Sequence, residues 1–341
     1  MSFNSIIYKE SAEDHDENGK KKISKKYLKE LLKQKPREYY GSPHLNDVLY
    51  LHFKGFNIIS NLEEFTGLKS LYLEGNAIQK IQGLEALTEL KQLCLQQNCI
   101  QKIEGLEKLE NLVILNLSEN FILEVENLES NKKLETLQLK SNKIGLKGLK
   151  GLEGLLKVQS LKVLDISDNK IKEESILEEI LQKLENLKVL YLQGNEVCSA
   201  TKNYRKKYIY SLINLKFLDE MPIFQDERKF AQAFQIGGIQ QERKVRKQDK
   251  EDKEREMRER VEKNKPMVEK LIAKYKRDVQ KKKEQEQNYK KQLAQQNNQQ
   301  NEDCSTQISN SDNIPELEDM SKQETKQEQF QAQNNELDEL D

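Results

Sequence analysis

A solenoid of short parallel strands is the fold class this sequence predicts, and three observations predict it. Asn76, Asn98, Asn120 and Asn142 recur at a spacing of 22 residues. Each closes the same phrase: LKSLYLEGN, LKQLCLQQN, LVILNLSEN and LETLQLKSN. Within a phrase, leucines stand two apart around a variable residue, as Leu71 and Leu73 do around Tyr72, which is strand periodicity. The apolar residues that follow, Ile78, Ile81, Leu84 and Leu87, are spaced for a turn and a short helical or 3₁₀ return. One such unit buries too little to offset the entropy of ordering its own chain, so neighbouring units must stack.

The phrase is the leucine-rich-repeat pattern L-x-x-L-x-L-x-x-N. The expected architecture is an α/β solenoid, a leucine-rich-repeat horseshoe with 22-residue repeats. A helical N-terminal cap precedes it; a C-terminal repeat cap and a charged helical and disordered tail follow. The boundaries read 1–22 disordered, 23–44 cap helix, 45–198 repeats, 199–235 C-terminal cap, 236–295 charged helix and 296–341 disordered, Gln/Asn-rich and acidic.

Taken in order, the opening MSFNSIIYKESAEDHDENGKKK is polar and has no hydrophobic signal core, which argues against the secretory route. SKKYLKELLKQK reads as a short amphipathic helix, with Ser24 as its cap, Tyr27, Leu28, Leu31 and Leu32 on one side, and Pro36 beyond its end. Leu49, Leu51, Phe56, Ile59 and Leu62 continue the register upstream, but Lys54 stands where Asn is expected, so this unit closes the stack. Downstream, Asn169 and Asn195 extend the series through two longer units. Their loops, GLKGLKGLEGLLKVQS and EESILEEILQKLEN, have room for a true helix.

After Val197, NYRKKYIYSLINLKFLDEMPIF reads as a helix and a last partial strand that seal the stack. Its Arg205, Lys206 and Lys207 form a solvated basic face more readily than an RNA site. Phe230 and Phe234 stand one helical turn apart, and Gly237 and Gly238 then break the pattern. Beyond them, interleaved Lys, Arg and Glu support an exposed helix, and one apolar stripe runs from Met267 to Tyr275. The apolar seam of a coiled coil is not sustained, although coiled-coil-like helix remains the expected character of this segment.

Lys and Arg number 57 against 58 Asp and Glu, a net charge of −1, which gives no bulk attraction to nucleic acid or anionic membrane. There is no apolar run of about 18 residues to span a bilayer. The four cysteines, Cys94, Cys99, Cys198 and Cys304, form no C-x-x-C pair and fit a reduced setting. Only His15, His44 and His52 are present, in no metal-binding spacing, so no cofactor, metal or catalytic residue is expected.

Binding is the better use of this pattern. The asparagines Asn76, Asn98, Asn120, Asn142, Asn169 and Asn195 are expected to form a structural ladder that bonds the turn leaving each strand. The variable strand positions face the concave side. Tyr50, His52, Tyr72, Glu74, Gln96, Asn116, Gln138, Lys140, Asp165, Tyr191 and Gln193 are the candidate partner-binding residues, with Phe53 beside them. Mixed polar and aromatic, they resemble a protein-contacting surface.

LNDVLYLHFKGFNIISNLEEFTGLKSLYLEGNAIQKIQGLEALTELKQLCLQQN resembles the leucine-rich-repeat axonemal dynein assembly factors. So do the NYR cap and the AFQIGG that follows at 233–238, over about residues 27 to 245 in all. The resemblance implies a non-enzymatic cytoplasmic scaffold for preassembly of dynein arms, needed for cilium structure and motility. It implies dynein chains, other assembly factors and chaperones as partners, and association with the cilium or axoneme. The same repeat class includes a protein-phosphatase regulatory subunit and a splicing scaffold, which stand as alternatives.

Overall fold

The computed structural model describes residues 8–307, with side chains for 8–291. The chain divides into two compact units, the first ending at Asp252 and the second beginning at Lys253. Among the described residues no helix is long and apolar enough to cross a membrane.

The first unit is a leucine-rich-repeat solenoid built on one nine-stranded sheet. Strands β1 (Val48–Tyr50), β2 (Ser70–Tyr72), β3 (Gln92–Cys94), β4 (Ile114–Asn116), β5 (Thr136–Gln138), β6 (Val163–Asp165), β7 (Val189–Tyr191) and β8 (Phe217–Leu218) pair in parallel and in sequence order. β9 (Met221–Pro222) closes the edge antiparallel to β8. The register sets leucine on leucine: Leu49, Leu71, Leu93, Leu115, Leu137, Leu164, Leu190 and Leu218 are partners in turn, each with no exposed surface. A one-residue slip would turn this column outward, so burial fixes the register. The inward leucines and isoleucines of every coil merge into one core.

The return segments differ from the helices expected there. GLKGLKGLEGLLK places Gly and Leu at every third position, and Gly148–Lys157 is accordingly a ten-residue 3₁₀ helix. Period three stacks its leucines on one face and sets Gly151 and Gly154 against the preceding coil. A Cβ on Gly154 would lie 2.0 Å from the Val125 carbonyl oxygen. In the next loop α2 (Ile176–Glu179) is a single turn, followed by the 3₁₀ turn Leu181–Lys183.

At the N-terminal end α1 (Lys25–Gln34) buries Tyr27, Leu28, Leu31 and Leu32 in the common core. Ser24 Oγ accepts from the Tyr27 amide, and the Tyr27 ring meets Phe56 edge-on at 5.3 Å. Residues 8–22, expected to be disordered, are instead placed against the first coil. Lys22 bridges Ile58, the Ile23 amide donates to the Ile58 carbonyl, and Asp14 is 1% exposed. The reason is a knot of hydrogen bonds on that carboxylate, from Tyr8 Oη, Ser24 Oγ, Ser11 Oγ and the Ser11 amide. Composition does not reveal it.

At the other end α3 (Glu196–Ala200) and α4 (Tyr204–Ser211) lead to β8. The basic trio is spent on ion pairs: Arg205 with Glu227, Lys206 with Glu242, and Lys207 with Glu174. α5 (Gln225–Gln307) is interrupted at Gly237 and Gly238, whose backbone is not helical. Lys229 lies 3.5 Å from Asp249 and Arg246 stacks 4.1 Å over the Phe230 ring. In a straight helix the first pair would be about 30 Å apart. The two glycines therefore reverse the chain into a helical hairpin. Glu242 is 4% exposed where a solvated helix was expected, because Lys206 and Arg246 both donate to it.

The second unit is the rest of α5. Its Met267, Leu271 and Tyr275 are about 70% exposed. The helix continues through residues 296–307, expected to be disordered. The remaining tail, residues 308–341, and residues 1–7 lie outside the described residues.

Candidate functional site: the open face of the sheet

Each turn leaving a strand is held by an asparagine that works in both directions. Asn120 Oδ1 accepts from the Ile100 amide at 3.0 Å, one coil back. Its Nδ2 donates to the carbonyls of Leu95 and Leu117 at 2.9 and 3.0 Å. Asn98, Asn142, Asn169 and Asn195 repeat this pattern, and Asn76 accepts from both Lys54 and Phe56. Successive asparagines share a carbonyl. Leu73, Leu95, Leu117, Leu139 and Ile166 each accept from two neighbouring rungs. The result is an unbroken hydrogen-bonded spine from the first coil to the last.

The spine sets the backbone just before it. The residue preceding each ladder position is left-handed: Phe53, Gly75, Gln97, Glu119, Ser141, Asp168 and Gly194, with φ between 53° and 79°. That turn aims the preceding side chains outward. One row on the open face is Tyr50, Tyr72, Cys94, Asn116, Gln138, Asp165 and Tyr191, in direct register. The second row, two residues on, holds His52, Glu74, Gln96, Lys140 and Gln193. All eleven predicted binding residues thus lie on one continuous surface.

They are not equally free to bind. Asn116 Oδ1 accepts from the Ser118 amide, and Asp165 Oδ1 from the Ser167 amide and hydroxyl, so both partly serve their own turns. Lys140 pairs with Asp168 at 3.5 Å, and Gln193 donates to Glu220 at 3.1 Å. Burial pushes the Cys94 thiol up, which makes it a poor nucleophile at neutral pH. Burial also raises the Tyr72 hydroxyl.

The N-terminal end is different in kind. Tyr50 and Tyr72 stack at 4.9 Å and 23°, the spacing of adjacent strands. His52 meets Tyr50 edge-on at 5.9 Å and Phe53 at 5.7 Å. His52 Nδ1 stands 3.7 Å from Glu74 Oε1. Among the described residues no cluster of His, Cys, Asp or Glu could hold a metal ion. What the arrangement offers is aromatic and hydrogen-bonding contact.

Sequence reasoning missed three structural residues. Asn131 occupies a leucine position of the register, fully buried, donating to Leu106 and Leu109 carbonyls; its break in the apolar pattern was the available signal. Arg228, whose guanidinium gathers the carbonyls of Ile209, Leu212 and Leu215, and Glu242 gave no local signal.

The family model "Leucine Rich repeats (2 copies)" matches residues 66–108, 88–130 and 159–204, and "Leucine Rich repeat" matches 130–152. The chain is 51% identical over 226 residues to the Dynein axonemal assembly factor 1 homolog of Drosophila melanogaster, covering 66% of this chain and 15% of that protein. It is 50% identical over 224 residues to the Leucine-rich repeat-containing protein ODA7 of Chlamydomonas reinhardtii, covering 66% of this chain and 51% of that one. The match thus spans about half of one of these relatives and 15% of the other. Among solved structures, a chain of the Drosophila melanogaster SNF/U2A′ complex is 32% identical with a TM-score of 0.35, covering 43% of this chain and 82% of that one.

Proposed function

We propose that this protein is a non-catalytic scaffold for the cytoplasmic preassembly of axonemal dynein arms, required for cilium structure and motility. The observation that carries the reading is identity of about 50% over two thirds of the chain to proteins named as dynein axonemal assembly factor 1 homologs. The open sheet face supports it, because a continuous wall of in-register side chains is suited to holding a protein rather than transforming a small molecule. The partners on this reading are dynein chains, other assembly factors and chaperones, met in the cytoplasm and in association with the cilium.

The test is electron microscopy of axonemes from cells lacking the protein. Missing outer or inner arms on otherwise intact doublets supports the function, and a full complement of arms overturns it. Affinity purification from ciliated cells then separates this reading from phosphatase regulation: dynein chains and chaperones are expected, and stoichiometric phosphatase would count against it.

A further inference from the structure

The aromatic end of the sheet face carries a more specific reading, which rests on the face being a protein-binding surface. We propose that Tyr50, Tyr72, Phe53 and Glu74 form a docking site for an arginine or lysine side chain on a basic segment of a partner protein.

Phe53 is the first observation. It is 65% exposed and left-handed at φ 53°. A bulky residue in that conformation is strained, and exposure returns no burial in compensation. Every other coil fills this position with Gly, Gln, Glu, Ser or Asp. The next coil accommodates the ring: a Cβ on Gly75 would lie 2.2 Å from two ring carbons of Phe53. The ring therefore lies across the Gly75 backbone, in space that any side chain there would take. A costly residue with a matched glycine is a built feature, and it extends the Tyr50–Tyr72 stack through His52 into one aromatic floor.

Charge selects the ligand. Glu74 stands two residues after Tyr72, on the same face, with 18% of its side chain exposed. Glu74 Oε1 faces His52 Nδ1 at 3.7 Å, while its Oε2 and the adjacent coil's Gln96 Oε1 are buried without a hydrogen-bond donor. Presenting Oε2 takes a turn of the last Glu74 torsion, which is a soft one. Farther along the face stand Glu119 and Asp165, while Lys140, the one cation among the predicted binding residues, is already paired with Asp168. An acidic wall repels phosphate and acidic peptides and draws basic ones. Aromatic faces beside a carboxylate attract a guanidinium or ammonium, through the ring quadrupole and through charge-assisted hydrogen bonds.

The test selects peptides from a random displayed library on the immobilised full-length chain. The recovered peptides are then titrated into wild type, Tyr72→Ala, Glu74→Gln, Phe53→Asn and the exposed, off-face control Glu107→Gln, each checked for an intact melting transition. Expected are peptides rich in Arg or Lys whose affinity falls about tenfold in each of the first three variants and is unchanged in the control. Replacing the peptide arginine by citrulline, its neutral isostere, produces the same loss. Acidic or purely apolar peptides, the absence of any binder, or equal loss in the control overturns the proposal. Peptide affinity does not depend on the ciliary role: intact arms in cells lacking the protein would refute the proposed function while leaving this result standing, and the converse holds.

Discussion

Removing one rung of the asparagine spine has a cost that can be worked from its bonds, and removing two has a cost that depends on which two. In Asn120→Ala the Leu95 and Leu117 carbonyls each keep one donor, from Asn98 and Asn142. The Ile100 amide, whose acceptor is Asn120 Oδ1, is left in the core. One orphaned buried donor costs about 1–3 kcal/mol. Asn98→Ala orphans the Ile78 amide by the same logic. The double variant does more than add these, because Leu95 then loses both of its asparagine donors. An additional destabilisation of roughly 1 kcal/mol is expected for the adjacent pair. Asn98 and Asn142 share no carbonyl, so their double variant should be additive. Urea unfolding followed by circular dichroism, with slopes compared so that the same transition is read in every variant, supplies the four free energies for each cycle. Zero coupling in the adjacent pair, or equal coupling in the separated one, would refute the spine as a shared-acceptor network.

Three further outcomes follow from other sites. Phe53→Asn exchanges a bulky left-handed residue for one that tolerates that conformation, so chemical denaturation should show a gain of roughly 0.5–1 kcal/mol while the platform loses its ligand, a trade of stability against binding. Burial pushes the Asp14 carboxyl up, but hydrogen bonds from Ser24, Tyr8 and Ser11 outweigh it and bring it to about 2. Its folded value lies below the unfolded value near 4, so its contribution, on the order of 2 kcal/mol, is complete above about pH 4 and lost as pH falls through about 2. The difference in melting temperature between wild type and Asp14→Asn should shrink over that window; a constant difference would show the carboxylate is not what anchors residues 8–22. Gly238 sits at φ 62° and ψ −159°, a region open essentially to glycine. Gly238→Ala should therefore loosen the hairpin and raise hydrogen exchange around Phe230 and Glu242, and unchanged protection would argue against the reversal.

Much of this molecule was legible in the chain because a repeat writes the same physics several times. The 22-residue period, the column of leucines and the asparagine rungs are local in sequence, and stacking makes each residue's neighbour its own counterpart one coil away. The open-face residues followed directly, since alternation along a strand assigns them once the leucines are known to point inward. The longer loops were less legible: period three in GLKGLKGLEGLLK selects a 3₁₀ helix, whereas the leucine spacing alone is equally compatible with an α-helix.

What only the tertiary structure decided involves residues far apart in the chain or conformations that no pattern encodes. Asp14 gathers its donors from both sides along the N-terminal segment, Glu242 meets Lys206 across 36 positions, and Arg228 reaches back to close the carbonyls of α4. None of these bonds has a period, so composition read Asp14 as part of a disordered segment and Glu242 as part of a solvated helix. The aromatic platform belongs to the same class. Phe53 and Gly75 are unremarkable as letters, and their dependence on each other exists only once a left-handed turn lays one ring over the next coil's bare backbone.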